Sequence, residues 1–258
     1  MAALAFFVFV AFDSMPAVLV ADDVLFSLFP LFGVLIVEVA GLVLVWQMWF
    51  QREKLKSKYG NRAYQQVFLF GFGGIVWILT VAINQYIPFY MLAPTFWATS
   101  PLQILATPIE TFFGAAATVI FIIKEALVII FLTTGLLMSA RALQVFGVDY
   151  MVVLYLYFPN ESKVQKNKIY SVLRHPTYTG AILICLGGTL FTFTPLSFAA
   201  FAVFLFGFYI HVYFVEEKEL IERFGESYRG YRKKVPAFFV KLKDVRALLN
   251  FLSGKDDN

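Results

Sequence analysis

The 258-residue chain is 60% hydrophobic and 15% charged, with a mean hydropathy of +0.75, which excludes a soluble globular domain. Its net charge of +4 contains no dense basic run interleaved with aromatics, so no nucleic-acid partner is expected. The lone Cys185 lies in an apolar run and there are only two histidines, His175 and His211, so neither a disulfide framework nor a histidine-based metal site is expected.

Taken in chain order, Ala2–Phe12 is apolar, but Asp13 and Pro16 interrupt it before Ala17–Ala21. No basic stretch precedes it, so it reads as a poor span or a segment at the outer interface, and not as a secretory signal. Val24–Phe50 is a span, followed by the basic loop Arg52–Arg62. Gln66–Leu92 returns outward, with Pro88 and Pro94 marking its end. Its Gly71-Phe72-Gly73-Gly74 run follows no strand, so it suits close helix packing better than phosphate binding. Ala93–Pro108 reads as an outer loop, and Ile109–Ala140 as one long helix ending at Arg141. From Leu143 to Ser162 the chain reads as irregular; Met151–Phe158, too short to span, is a strand-like segment or an interfacial helix over the site. Ala181–Val215 is an apolar hairpin turning at Thr192–Ser197, each leg long enough to cross a bilayer. Beyond Pro236, the apolar positions Phe238, Leu242, Val245, Leu249 and Leu252 recur at helical spacing among Lys241, Lys243 and Arg246. That amphipathic helix suits either the membrane surface or the protein's own cytoplasmic face.

The apolar runs are continuous and not alternating, so they are helices whose backbone satisfies itself in lipid. The expected fold class is therefore all-α: a polytopic membrane bundle of five spans, with a candidate sixth at the N-terminus. The expected division is a transmembrane bundle over residues 1–140 and a catalytic region over 141–258. Of 21 Lys and Arg, five lie in Arg52–Arg62, four in Lys163–Arg174 and ten from Lys218 to Lys255. Basic loops stay cytoplasmic, which predicts that face for all three segments. Two charges fall mid-span, Glu38 and Lys124. Such residues need a partner. Glu125 lies about 100° around the helix from Lys124, so the expectation is a Glu38–Lys124 pair, or else a helix break near Lys124.

Two polar runs flank the hairpin and emerge on one side of it. The first is Ile169-Tyr170-Ser171-Val172-Leu173-Arg174-His175-Pro176-Thr177-Tyr178-Thr179-Gly180. The second is Glu216-Glu217-Lys218-Glu219-Leu220, continuing to Phe224-Gly225, Tyr228, Tyr231 and Val235-Pro236. Pro176 disfavours helical geometry at His175 and favours a helix start at itself, and a helix N-terminus attracts anions. Glu216 and Glu217, being adjacent, point about 100° apart, so one faces a pocket while the other meets a surface cation. Tyr228, Tyr231 and Pro236 read as scaffold.

The pattern Tyr-x-x-x-Arg-His-Pro-x-Tyr-x-Gly, a membrane hairpin, then Glu-Glu-x-x-Leu-x-x-x-Phe-Gly-x-x-Tyr-x-x-Tyr-x-x-x-Val-Pro resembles the isoprenylcysteine carboxyl methyltransferase and phospholipid methyltransferase superfamily. The resemblance covers residues 141–240. It implies S-adenosylmethionine as cofactor and a lipidic or membrane-partitioned acceptor; the basic segments predict that the site faces the cytoplasm. It further implies that Glu216 contacts the cofactor, that Ser162, Lys163, Val164 and Gln165 line its adenine side, and that Tyr170, His175, Pro176, Thr177 and Tyr178 complete the site. The chemistry agrees. The cofactor presents a carboxylate, an ammonium, a ribose diol and an adenine, so it wants cations, an acid and aromatic edges, which Arg174, His175, Tyr170, Tyr178, Glu216 and Glu217 supply. No metal is needed, because positioning alone is worth ~7–11 kcal/mol. Arg174 is the catalytic cation candidate, and His211 or Glu217 would take a proton from an amine or thiol acceptor. Two positions depart from the family: Lys168 stands where a glycine is usual, and Val212, beside His211, where the isoprenylcysteine branch has an arginine. The alternatives are an NADPH-dependent membrane lipid or sterol reductase and a non-catalytic relative.

Overall fold

The structure, a computed structural model, describes residues 2–19, 26–87, 94–100, 102–146, 164, 166 and 168–255. Every regular element among them is helical. The α-helices are α1 (Ala2–Leu19), α2 (Phe29–Phe50), α3 (Arg52–Tyr59), α4 (Ala63–Asn84), α5 (Pro94–Thr99), α6 (Gln103–Ala106), α7 (Ala117–Phe146), α8 (Pro176–Thr192), α9 (Pro195–Ile210), α10 (Glu217–Phe224), α11 (Glu226–Lys234) and α12 (Val245–Leu252). Three helical stretches are long and apolar enough to cross a membrane: Phe29–Phe50, Ile109–Val145 and Pro195–Phe224. Phe70–Asn84 and Pro176–Thr192 are the shorter apolar helices where the remaining two of the five spans were expected, and Ala2–Ser14 lies at the candidate sixth. On α7, Ile122 and Ile129 are 61% and 63% exposed, an apolar surface suited to lipid and not to water. The chain is an integral membrane protein.

The chain divides into two compact units. The first comprises Met1–Val45, Gly73–Leu132 and Ile184–Gly207. Here α2 meets α4 glycine to glycine: a Cβ on Gly74 would lie 2.7 Å from the Gly41 carbonyl oxygen. This answers the glycine run as helix packing. Gly187 and Gly188 admit Tyr86 in the same way, and the Tyr86 hydroxyl donates to the Ile184 carbonyl at 3.0 Å. The hairpin turn is tied by reciprocal bonds: Thr194 N–H donates to Ser197 Oγ at 3.1 Å and Ser197 N–H to Thr194 Oγ1 at 3.1 Å.

This unit corrects two expectations. Residues 109–140 are not one helix: Ile109–Ala116 forms 3₁₀ turns, and Gly114, at φ 51°, breaks the path before α7 begins. Glycine alone reaches that backbone region without penalty. Nor does Lys124 pair with Glu38. Its ammonium lies 3.2 Å from Glu110 Oε1 and 3.2 Å from Glu125 Oε1, and donates to the Phe191 carbonyl at 3.0 Å. The break at Gly114 supplies Glu110, and the length of the lysine stem overcomes the 100° offset to Glu125. Glu38 instead lies buried against Gly207, where any Cβ would meet its carboxylate.

The second unit comprises Trp46–Phe72, Thr133–Leu183 and Phe208–Asn258. Gly180 of α8 sits 2.8 Å, by its absent Cβ, from the Gly135 carbonyl of α7. One apolar cluster joins Met138, Ile169, Tyr170, Val172, Leu173 and Phe251; another joins Leu220, Tyr228, Tyr231 and Val235, with Val164, Ile221 and Phe224 packed on it. The C-terminal helix is shorter than expected, since α12 starts only at Val245. Its Leu248, Phe251 and Leu252 pack on the protein's own surface, while Leu242, in the preceding 3₁₀ turn, and Leu249 stay exposed. The α7 helix continues to Phe146, past the expected end at Ala140, and Met151–Phe158 lies outside the described residues.

Removing one partner of a buried ion pair strands the other. With Glu110 only 13% exposed, Lys124→Met lowers stability by about 3–5 kcal/mol. Adding Glu110→Gln recovers much of that loss, whereas adding Glu38→Gln does not. Thermal unfolding of the three variants in detergent checks this.

Candidate active site

The Arg174-His175 dipeptide is held by its backbone. Arg174 N–H donates to the Pro236 carbonyl at 2.9 Å and His175 N–H to the Ala237 carbonyl at 3.2 Å. Pro176 then opens α8, where a missing N–H costs nothing. Thr179 Oγ1 donates to the carbonyls of His175 and Phe238, both at 3.1 Å. The Tyr231 hydroxyl donates to the Tyr170 carbonyl at 2.5 Å. Tyr231 and Pro236 are therefore scaffold, as read from sequence. Between α9 and α10, His211–Glu216 forms a π-helical turn, a feature frequent at functional sites.

Glu217 is 0% exposed, and three cations surround it. Arg174 Nη1 lies 2.8 Å from its Oε1, Arg232 Nε 2.9 Å from its Oε2, and His175 Nε2 3.2 Å from its Oε1. The other imidazole nitrogen, Nδ1, is 3.4 Å from Glu216 Oε1. The adjacent acids thus divide their work, but the second does not meet a surface cation: it is the buried centre of the cluster. Burial alone would lower the His175 pKa; Glu216 and then Glu217 more than offset it and hold the imidazolium up to about 9. Burial also pushes the hydroxyls of Tyr170, Tyr228 and Tyr231 up, so they remain protonated donors.

Aromatic rings wall the cluster. His175 meets Tyr178 edge-on at 5.7 Å and Phe238 at 6.0 Å, and Tyr178 meets Phe208 at 5.0 Å and His211 at 6.0 Å. Arg174, His175, Tyr178, His211, Glu216 and Glu217 are therefore brought together. Pro176 is buried at the helix start, Thr177 is half-buried on its first turn, and Tyr170 sits in the apolar cluster with Phe251. Val164 packs near Tyr228 and Tyr231; Ser162, Lys163 and Gln165 lie outside the described residues.

Sequence reasoning missed Arg232 and Phe238. Arg232 was hidden in the basic run Arg232-Lys233-Lys234, and its place directly after the scaffold Tyr231 was the available signal. It also lies over the Tyr213 ring at 5.9 Å. Lys168 was read as a departure from a glycine, and its φ is 51°, a left-handed backbone that glycine adopts freely and that a lysine adopts here. Val212 is fully buried and apolar, so no cation replaces the arginine at that position.

Five buried atoms at this site make no hydrogen bond among the described residues; Arg174 Nη1 and Glu217 Oε2 lie in ion pairs, which leaves Glu216 Oε2, Arg174 Nε and the Tyr228 hydroxyl. Buried polar atoms are nearly always paired. An open acceptor and two open donors fit a zwitterionic ligand that carries both an ammonium and a carboxylate.

Residues 123–227 match the phospholipid methyltransferase family. The chain is 38% identical over 69 residues to a protein-S-isoprenylcysteine O-methyltransferase of Schizosaccharomyces pombe, covering 27% of this chain and 29% of that protein. Longer alignments join it to methanethiol S-methyltransferases. That of Pseudomonas deceptionensis is 28% identical over 162 residues, with 59% of this chain and 56% of that protein covered. That of Crocosphaera subtropica is 31% identical over 164 residues, covering 59% and 58%. No solved structure matches significantly. These matches support the superfamily that the two polar runs resemble. The chain spans from 29% to 58% of the length of these three curated relatives.

Folding makes His175 harder to deprotonate. Its folded pKa of about 9 lies above the ordinary 6.5, so its contribution is fully present below pH 6.5 and is lost as pH rises through 9. Unfolding measured from pH 6 to 10 is expected to show that loss in the wild type and not in His175→Gln.

Proposed function

We propose that the chain is an integral-membrane S-adenosylmethionine-dependent methyltransferase acting on a lipidic or membrane-partitioned acceptor. The observation that carries this is the buried Glu217 cluster with its open atoms on Glu216, Arg174 and Tyr228. In this reading Glu216 Oε2 accepts from the cofactor ammonium. Arg174 Nε and the N-terminus of α8 face its carboxylate, Tyr178 and His175 offer ring edges, and Ser162–Gln165 and Tyr170 line the adenine side. When bound, the cofactor supplies a methyl group already activated by its sulfonium. The protein's part is to align the acceptor and exclude water. Arg232 joins Arg174 in neutralising Glu217, which leaves His211 the better base for an acceptor that must lose a proton.

The acceptor reading rests on Val212. A buried valine offers nothing to a prenylcysteine carboxylate, which is then expected to be a poor substrate. The longer alignments with methanethiol S-methyltransferases support a thiol-type acceptor as the second reading. Calorimetric titration with S-adenosylmethionine is expected to give binding that Glu216→Gln and His175→Ala each weaken about tenfold, the worth of one charge-assisted hydrogen bond. Binding of NADPH instead, or wild-type affinity in both variants, overturns the proposal. Labelled-methyl transfer to membrane lipids, small thiols and a farnesylcysteine analogue ranks the acceptors, with the last expected to be weakest.

The site is further proposed to face the cytoplasm, supported by the three basic segments. A Ser57→Cys variant should resist a membrane-impermeant thiol reagent applied to intact cells. Labelling from outside reverses the assignment.

A further inference from the structure

The C-terminal helix is apolar over more of its circumference than the protein covers. At about 100° per residue, Phe251, Leu248, Leu252, Val245 and Leu249 follow one another around α12 in a single apolar arc. One side of that arc, Leu248, Phe251 and Leu252, joins the cluster of Met138 and Val145 on α7. The other side is bare. Val245 and Leu249 are exposed, and with Leu242, which is 92% exposed, they form a stripe at i, i+3, i+7 spacing. Phe239, just ahead of it, is 78% exposed. Single exposed apolar residues are ordinary, but a contiguous stripe marks a surface that meets something.

What it meets follows from its neighbours within the second unit. Met138 and Val145 lie near the end of the membrane-crossing stretch Ile109–Val145, so α12 packs where that stretch leaves the hydrocarbon. On the same part of α7, Leu136 and Leu137 are exposed, which makes the lipid-facing surface the nearest apolar surroundings. Lys243 and Arg246 beside the stripe are exposed, as are Lys233 and Lys234 at the end of α11, while the acid between the first two, Asp244, is half-buried. Apolar residues bordered by cations match the headgroup layer of an anionic bilayer, where the side chains enter and the cations stay at the surface. A second copy of this chain would set the same cations against each other.

We propose that residues 239–249 form an interfacial seat on anionic lipid: Phe239, Leu242, Val245 and Leu249 enter the boundary between headgroups and acyl chains, and Lys243 and Arg246 hold the anionic headgroups. The seat is apart from the Glu217 cluster and independent of the methyl-transfer reading.

The full chain, reconstituted into vesicles of phosphatidylcholine alone or with added phosphatidylglycerol, tests this by spin-label accessibility. A nitroxide is attached at Leu249→Cys or, as a control about 160° around α12, at Ala247→Cys. Cys185 is buried, so the parent chain is the unlabelled blank. Collisions with oxygen, which concentrates in hydrocarbon, are compared with collisions with a neutral nickel chelate, which stays in water. The label at position 249 should favour oxygen and the label at position 247 the chelate. Phosphatidylglycerol should raise the oxygen preference at position 249, and Lys243→Gln with Arg246→Gln should lose that rise. Leu249, Lys243 and Arg246 are all exposed, so each variant should melt with the parent in detergent. A preference for the chelate at position 249 overturns the proposal. So does shielding from both reagents, which would mean that protein covers the stripe, and so does an oxygen preference indifferent to phosphatidylglycerol.

Discussion

The second unit depends on one buried charge. Glu217 is fully removed from solvent, a position that an isolated carboxylate cannot hold in ionised form. Arg174, His175 and Arg232 make it tolerable, and they come from two sequence-distant runs. The cluster therefore fixes more than itself. It ties the start of α8 to the start of α10 and to α11, and it fixes the depth at which the hairpin's two polar ends meet. Replacing the cluster by apolar residues of equal volume would cost such a fold little in stability. What it would lose is the fixed orientation of the imidazole and the open edges of Glu216 and Arg174.

The backbone reinforces the same meeting. Because the N–H groups of Arg174 and His175 donate to Pro236 and Ala237, the segment after α11 must run extended past the histidine. That demand explains why no helix runs through Pro236–Phe238, although apolar positions recur at helical spacing from Phe238. A segment whose carbonyls cap another strand of chain cannot spend them on its own helix. Phe238 then falls against His175, which turns an apparent amphipathic position into part of the site wall.

Helix existence, the hairpin and the convergence of the two polar runs were legible because hydropathy and proline placement report them directly. What was not legible shares a physical cause: each feature depends on a local change of helical register or path that leaves hydropathy unchanged. The π-helical turn at His211–Glu216 shifts the following residues around the axis, so ideal-helix reasoning could not say which glutamate is buried. The left-handed turn at Lys168 follows its surroundings and not its own preference, so the residue type there carried no signal for it. Arg232 looked like one more surface charge in a basic run, since sequence alone does not show that its neighbour Tyr231 is anchored to the Tyr170 carbonyl.

The charge inside the first unit shows how such a path change arises. An ammonium at Lys124 in a straight apolar helix would face lipid or pull a partner from another helix, and Glu38 had the right sign. The chain meets the demand more locally. Gly114 breaks the helix, the 3₁₀ turns before it carry Glu110 back within 3.2 Å, and the Phe191 carbonyl, near the end of α8, accepts a further bond. A partner 14 positions away on the same stretch loses less chain entropy on pairing than one on a separate helix, because closure cost grows with loop length. The carbonyl also has a reason to be open, since the last carbonyls of a helix lack intrahelical partners. One buried lysine thus accounts for the break, the position of Glu110 and the docking of the hairpin end, three features that hydropathy alone would leave unrelated.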